Sequence, residues 1–187
     1  MSRLPGFSAI CLILFFSGIT AACSPPVKTE GPPATPAVTA RPTESEVPRL
    51  KVGDAAPPFA LRDIDNKPVS LADFAGKKVV INMWMMGCHG CEEELPYLQE
   101  FYQKWKGQGA ALIGINETNS IAIVRSYASS KKLEFTLLVD TGKRLDPSYG
   151  ITGVPTTFFL DGKGIIKAIK DGSFESVAEI EEIYNSY

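Results

Sequence analysis

From residue 79 onward the apolar positions follow two rhythms. Residues 79–84 run Val79, Val80, Ile81, Asn82, Met83, Trp84, a short apolar stretch rich in β-formers that predicts a buried strand. From Cys88 the spacing changes to three and four. Leu95, Leu98, Phe101, Tyr102 and Trp105 mark one face of a helix, Gly107 and Gly109 stop it, and Pro96 should kink it. Residues 110–116 read as a second buried strand. Residues 121–132 read as a helix with Ile121, Val124 and Ala128 on one face, and residues 135–139 as a third strand. Two further strands, 156–160 and 165–169, flank Asp161, Gly162, Lys163 and Gly164, which predict a hairpin turn. Residues 173–187 close the chain as a helix, with Val177, Ile180 and Ile183 inward and Glu181 and Glu182 outward. The order strand–helix–strand–helix–strand, then hairpin and helix, implies an α/β domain with a central mixed sheet flanked by helices.

Ahead of that domain lie two segments with no such rhythm. Arg3, the uncharged apolar residues 9–19 and the small residues Thr20, Ala21 and Ala22 before Cys23 follow the grammar of a secretory signal, too short to span a bilayer comfortably. A small-residue run ending in cysteine resembles the bacterial lipoprotein box, in which that cysteine is lipidated; Thr20 stands where the box usually has leucine. Residues 24–48 then carry seven prolines among Thr, Ala, Val and scattered charges. Such a stretch buries too little to fold and favours an extended spacer. The expected organisation is a signal with a lipoprotein-like box (1–23), a disordered proline-rich tether (24–48) and one domain (49–187), exported and held at a bacterial membrane through Cys23. The formal net charge of −2, with no Lys/Arg cluster larger than a pair, argues against nucleic acid as a partner.

Cysteine usage narrows the chemistry. Of four cysteines, Cys11 and Cys23 fall in the leader, so the domain keeps only Cys88 and Cys91. A structural disulfide framework would show more cysteines, more widely spaced. A Cys-x-x-Cys at a strand-to-helix junction is the redox version of the spacing. Unpaired N–H groups and the helix dipole favour a thiolate on the first sulfur, and the second lies within one turn, able to resolve a mixed disulfide. A c-type haem site needs histidine where Glu92 stands, and a tetrahedral zinc site needs more ligands than Cys88, Cys91 and the lone His89 provide. A copper-binding module remains as an alternative, because Met85 and Met86 precede the thiols and Cys with Met suits Cu(I). A peroxidase is disfavoured, since no Thr-x-x-Cys surrounds an isolated cysteine. No cofactor is expected.

Several segments, in order, carry a resemblance. They are residues 52–57 with Phe59, the strand 79–84, the helix positions Cys91, Glu94, Leu95 and Pro96, then Tyr149, Gly150 and Ile151, and residues 153–158 around Val154 and Pro155. Together they resemble the thioredoxin fold, and within it the exported TlpA/ResA-type thiol–disulfide oxidoreductases, across residues 52–172. The resemblance implies an N-terminal β extension and an inserted αβ element. It implies Cys88 as attacking nucleophile, Cys91 as resolving thiol, a Cys88–Cys91 disulfide, and a cis Pro155 packed against it. The Val154 backbone would pair with an extended substrate chain, with Trp84 also among the substrate contacts. The implied partners are disulfide-bearing envelope proteins, cytochrome c apoprotein among them, and a membrane thiol protein as electron donor. A disulfide oxidant or isomerase is the alternative within the class.

Three departures bear on redox tuning. Gly87 and Gly90 replace the family's usual Trp and Pro, which loosens the loop. His89 sits between the thiols, where an imidazolium would stabilise the Cys88 thiolate, opposed in part by Glu92, Glu93 and Glu94. Asn119 falls where relatives place a proton-handling glutamate, which leaves Glu117, two residues earlier, as the candidate substitute; Asn82 takes the place of the buried acid of ordinary thioredoxins.

Overall fold

The computed structural model describes residues 49–187; the leader (1–23) and the tether (24–48) lie outside the described residues. Seven strands, β1 (Ala60–Asp63), β2 (Pro68–Ser70), β3 (Lys78–Trp84), β4 (Ala110–Asn116), β5 (Thr136–Val139), β6 (Thr156–Leu160) and β7 (Ile166–Asp171), form one sheet in the order β2-β1-β5-β4-β3-β6-β7. Strands β3, β4 and β5 run parallel, and the pairs β3–β6, β6–β7, β1–β5 and β1–β2 are antiparallel. Helices α1 (His89–Trp105), α2 (Ile121–Lys131), α3 (Asp146–Tyr149) and α4 (Val177–Asn185) complete the domain. The sheet is the mixed one the hydrophobic rhythm implied.

The central strands are buried on both faces, as parallel strands under helical cover should be. Val80, Trp84 and Leu112 pack with Leu95, Leu98 and Phe101 of α1 and Ile180 and Tyr184 of α4. Val79, Ile81, Met83 and Ile113 face the opposite way, towards Phe59, Leu145 and Tyr149. Gly114 of β4 is glycine for space: a Cβ there would stand 2.8 Å from Phe135 Cε2 and 2.9 Å from Leu137 Cδ2.

Helix α1 carries Pro96 inside its span, where the sequence put it. Two features differ from the sequence expectation. The final helix begins at Val177 and not at 173, because Phe174 dives into the core and the Ser176 hydroxyl accepts the Glu179 N–H at 3.3 Å, capping the helix there. Glu181 does not face outward freely; it accepts from Trp105 Nε1 at 2.9 Å and pairs with Lys104. The short α3 and the exact strands β1 and β2 had no apolar period long enough to announce them.

The N-terminal stretch runs along the outer edge of β7. Gly53 N–H donates to the Ile166 carbonyl and Ile166 N–H to that of Asp54, each at 2.9 Å, and Ala56 N–H donates to the Gly164 carbonyl. Arg49 Nη2 reaches both carboxylate oxygens of Asp171 at 3.0 Å.

Candidate active site

Strand β3 ends at Trp84, and a tight turn delivers the chain to α1. Gly87 makes that turn at φ +78°, a region costly for side chains. Its N–H donates to Glu92 Oε1 at 3.0 Å, so this glutamate ties the turn to the first turn of the helix. Cys88 is the N-cap of α1, with extended backbone angles, and its Sγ accepts the Cys91 N–H at 3.3 Å. An amide hydrogen bond and the positive end of a helix both favour negative charge on that sulfur in the reduced protein. Cys88 and Cys91 are disulfide-bonded, with their Cα atoms 5.2 Å apart. Cys91 is fully buried while Cys88 is only half-buried. Only Cys88 can be approached by another protein.

The turn before β6 closes over the same sulfur. The Val154–Pro155 peptide is cis, and the Val154 carbonyl oxygen lies 3.6 Å from Cys88 Sγ. Thr156 Oγ1 donates to the Gly153 carbonyl at 2.8 Å, spanning the turn, and also reaches Asp171 Oδ1 at 3.3 Å. Gly90 packs against this turn: a Cβ on it would stand 3.3 Å from Ser173 Oγ and 3.7 Å from Pro155 Cδ. Gly90 therefore lets the start of α1 approach the proline turn closely, and Ser173 joins the site from beyond β7.

The acids are arranged differently from the sequence expectation. Glu94, one turn beyond Cys91 on α1, is fully buried. Its Oε1 accepts from Asn82 Nδ2 at 2.7 Å and its Oε2 from the Phe174 N–H at 3.1 Å; Asn82 Nδ2 also donates to Thr157 Oγ1 at 2.9 Å. Burial pushes the Glu94 pKa up to about 7, against the pull of those two hydrogen bonds. Weighed in the sequence only as charges opposing His89, the run Glu92, Glu93 and Glu94 did not single this residue out. The signal was present all the same, because Glu94 shares the apolar stripe of Cys91, Leu95 and Leu98.

Glu117 is also fully buried, but its carboxylate meets Lys143 Nζ at 3.2 Å and the Asp146 side chain; no contact joins it to either sulfur. His89 turns away too: its side chain is 90% exposed and Nε2 lies 3.1 Å from Glu93 Oε1. Trp84, expected among the substrate contacts, is wholly buried and packs on Tyr127, with ring centroids 5.7 Å apart. Its place is the core beneath α2, which carries Tyr127. Asn119 serves the turn after β4, donating its N–H to Asn116 Oδ1 at 2.8 Å. Among the described residues no cluster of three or more His, Cys, Asp or Glu is placed to hold a metal ion.

Comparison with known proteins decides the kinship. The model of the AhpC/TSA family matches residues 52–169. ResA thiol–disulfide oxidoreductases are 33% identical over 123 residues in Bacillus thuringiensis subsp. konkukian, covering 65% of this chain and 71% of the relative. The chain belongs to the AhpC/TSA family, as a ResA-type thiol–disulfide oxidoreductase. ResA of Bacillus subtilis is 31% identical over 129 residues, or 68% of this chain and 72% of that one. In structure, the ResA-type chain resembles the thioredoxin domain of a thiol–disulfide oxidoreductase from Bacteroides vulgatus, with TM-score 0.65 and 27% identity over 73% of this chain and 99% of that one. It also resembles StoA from Bacillus subtilis, with TM-score 0.60 and 26% identity over 68% and 96%. The fold of this ResA-type protein is thus thioredoxin-like.

Proposed function

We propose that the protein is an exported dithiol reductant, tethered through a lipid on Cys23, that reduces disulfides of envelope proteins, cytochrome c apoprotein among them. A membrane thiol protein returns it to the dithiol state. The observation that carries the redox assignment is the half-buried Cys88 Sγ at the N-cap of α1, 3.6 Å from the Val154 carbonyl across the cis turn.

In this mechanism the Cys88 thiolate attacks one sulfur of a client disulfide, forming a Cys88–client bond and expelling the other client sulfur as a thiolate that takes a proton. The client chain lies along Val154 and Pro155, adding to the backbone there as a strand would. Cys91 then loses its proton and attacks Cys88 Sγ. The Cys88–Cys91 disulfide forms, the client leaves as a dithiol, and two electrons have passed to it. Glu94 is the acceptor best placed for the Cys91 proton: it is buried one turn further along the same helix, and its pKa near 7 suits a reversible transfer.

Cys88→Ser should abolish reduction of insulin disulfides, whereas Cys91→Ser should accumulate mixed disulfides with clients. Faster alkylation of Cys91 than of Cys88 in the reduced protein would reverse the two roles. Palmitate labelling of the full-length protein should vanish in Cys23→Ala; label retained there would dismiss the anchor.

A further inference from the structure

The reductant mechanism leaves one buried ionisable group without work. Glu117 is fully buried, and neither carboxylate oxygen has a hydrogen-bond partner beyond the ion pair with Lys143. Its backbone N–H donates to the Trp84 carbonyl at 3.1 Å, on the strand end that leads into the Cys88 turn. Its side chain meets Asp146, the first residue of α3. Asp146 Oδ1 is likewise buried without a partner, and its Oδ2 lies 3.8 Å from Lys143 Nζ. The Asp146 carbonyl accepts the Ile151 N–H at 3.0 Å, three residues before Val154. Tyr149, the other end of α3, is fixed by its hydroxyl donating to the Pro57 carbonyl at 2.7 Å. A short, braced path therefore runs from the base of the Cys88 turn, through Glu117 and Asp146, to the turn that carries the Val154 carbonyl over Cys88.

We propose that Glu117, Asp146 and Lys143 form a proton-dependent pin that positions the Val154–Pro155 turn against Cys88. Glu117 is a positioning residue that acts through Asp146, not a proton carrier for the thiols. Two carboxyl groups in contact, one fully buried and the other largely so, hold together while they share a proton and repel when both are ionised. Burial, then the Asp146 carboxylate, pushes the Glu117 pKa up to about 7, while Lys143 pulls it back. The other charges at this corner are Asp140, which also raises Asp146, and Arg144, whose Nε pairs with Asp140 Oδ1 at 2.9 Å and leaves that side balanced. Below neutrality Glu117 carries the proton, Asp146 pairs with Lys143, and the pin is closed. Above it the cluster gains a negative charge that one half-exposed lysine cannot hold at both carboxylates, and α3 is released from Glu117.

The inference rests on the reductant reading and deepens it: protein clients, which need the Val154 backbone, should feel the pin, whereas a small alkylating agent at Cys88 should not. The test measures kcat/KM for insulin-disulfide reduction between pH 6 and 8.5 and divides it by the rate of Cys88 alkylation with iodoacetamide at each pH. The division removes the thiolate fraction. In the unaltered protein the ratio should fall roughly threefold to tenfold as pH rises through about 7, the range typical of coupling through contiguous packed groups. Glu117→Gln keeps the shape without the titration and should flatten the ratio, leaving alkylation unchanged. Lys143→Met, at an exposed side chain that folding should tolerate, removes the stabilising charge and should move the midpoint upward in pH. A ratio already flat in the unaltered protein, or a Lys143→Met midpoint that does not move, would overturn the pin. Loss of alkylation in Glu117→Gln would overturn it in favour of direct action on the thiol. Absence of any insulin reduction by the unaltered dithiol protein would instead sink the reductant reading itself.

Discussion

Glu94→Gln isolates the cost of a buried carboxylate beneath the redox helix. The fold holds the Glu94 proton more tightly than the unfolded chain does, with the pKa displaced from 4.5 to about 7. Stability from this group is therefore complete below pH 4.5 and is lost as pH rises through about 7. At about 1.4 kcal/mol for each pH unit between the two values, the full loss is roughly 3 kcal/mol, of which about 2.5 kcal/mol falls between pH 5 and pH 8.5. Glutamine removes this titration. It brings a fixed penalty, because both Glu94 oxygens face donors, Asn82 Nδ2 and the Phe174 N–H, and an amide must turn its own NH2 towards one of them. That mismatch costs about 1–3 kcal/mol at every pH. Urea unfolding of the disulfide form, followed by tryptophan fluorescence at pH 5 and at pH 8.5, gives the stability difference between the two proteins at each pH. The difference should shift by about 2.5 kcal/mol in favour of glutamine at the higher pH. Glu117 titrates in the same range but is present in both proteins and cancels. Parallel curves, with a constant difference, would refute the view that burial holds the Glu94 proton. Slower release of mixed disulfides in the same variant would link that proton to Cys91.

Two other substitutions probe the frame of the site. His89→Ala should leave the reduction potential within about 10 mV by glutathione equilibration, since an exposed pair is worth a few tenths of a kcal/mol and about 30 mV corresponds to 1.4 kcal/mol; a shift of about 30 mV would mean that the imidazole reaches Cys88 in the reduced protein. Gly114→Ala forces a methyl to within 3 Å of Phe135 and Leu137 and should cost about 1–3 kcal/mol of stability in urea, with the Cys88 alkylation rate unchanged; an unaltered midpoint would show that both side chains give way freely.

The chain announced its architecture wherever an apolar rhythm lasted long enough to be read. β3 and β4 appear as runs because both faces of each are covered, and α1 appears because five large side chains repeat along one stripe. The redox pair was legible from spacing alone, since two cysteines three apart at a strand-to-helix junction have few other uses. The acids were not legible in the same way. Glu94 and Glu92 stand two residues apart in one acidic run, yet one is buried beneath Asn82 and the other reaches back to the Gly87 amide. Only the helical phase relative to β3 separates them. Glu117 was singled out by its distance along the chain from a family position, and its true neighbours, Lys143 and Asp146, come from a loop and a single helical turn with no periodicity to place them. Ser173 and Gly90 meet because β7 returns antiparallel to β6, a pairing visible in the hairpin signal but not its side-chain consequence.

The borders of the sheet bear on where a client chain can go. A strand edge with free N–H and C=O groups attracts extended polypeptide, and a protein that handles unfolded or partly folded clients is exposed to that hazard more than most. At one border, residues 53–56 already lie hydrogen-bonded against residues 164–166, and Arg49 caps the far end at Asp171. At the other, β2 is three residues long and opens with Pro68, which has no N–H to offer. With both flanks partly protected against strand addition, the docking proposed at Val154 has fewer competitors on the same sheet. A client held there presents its disulfide to Cys88; one that strayed to an edge would bind without reacting. Under that proposal, guarded flanks would favour encounters of extended chains at the sulfur.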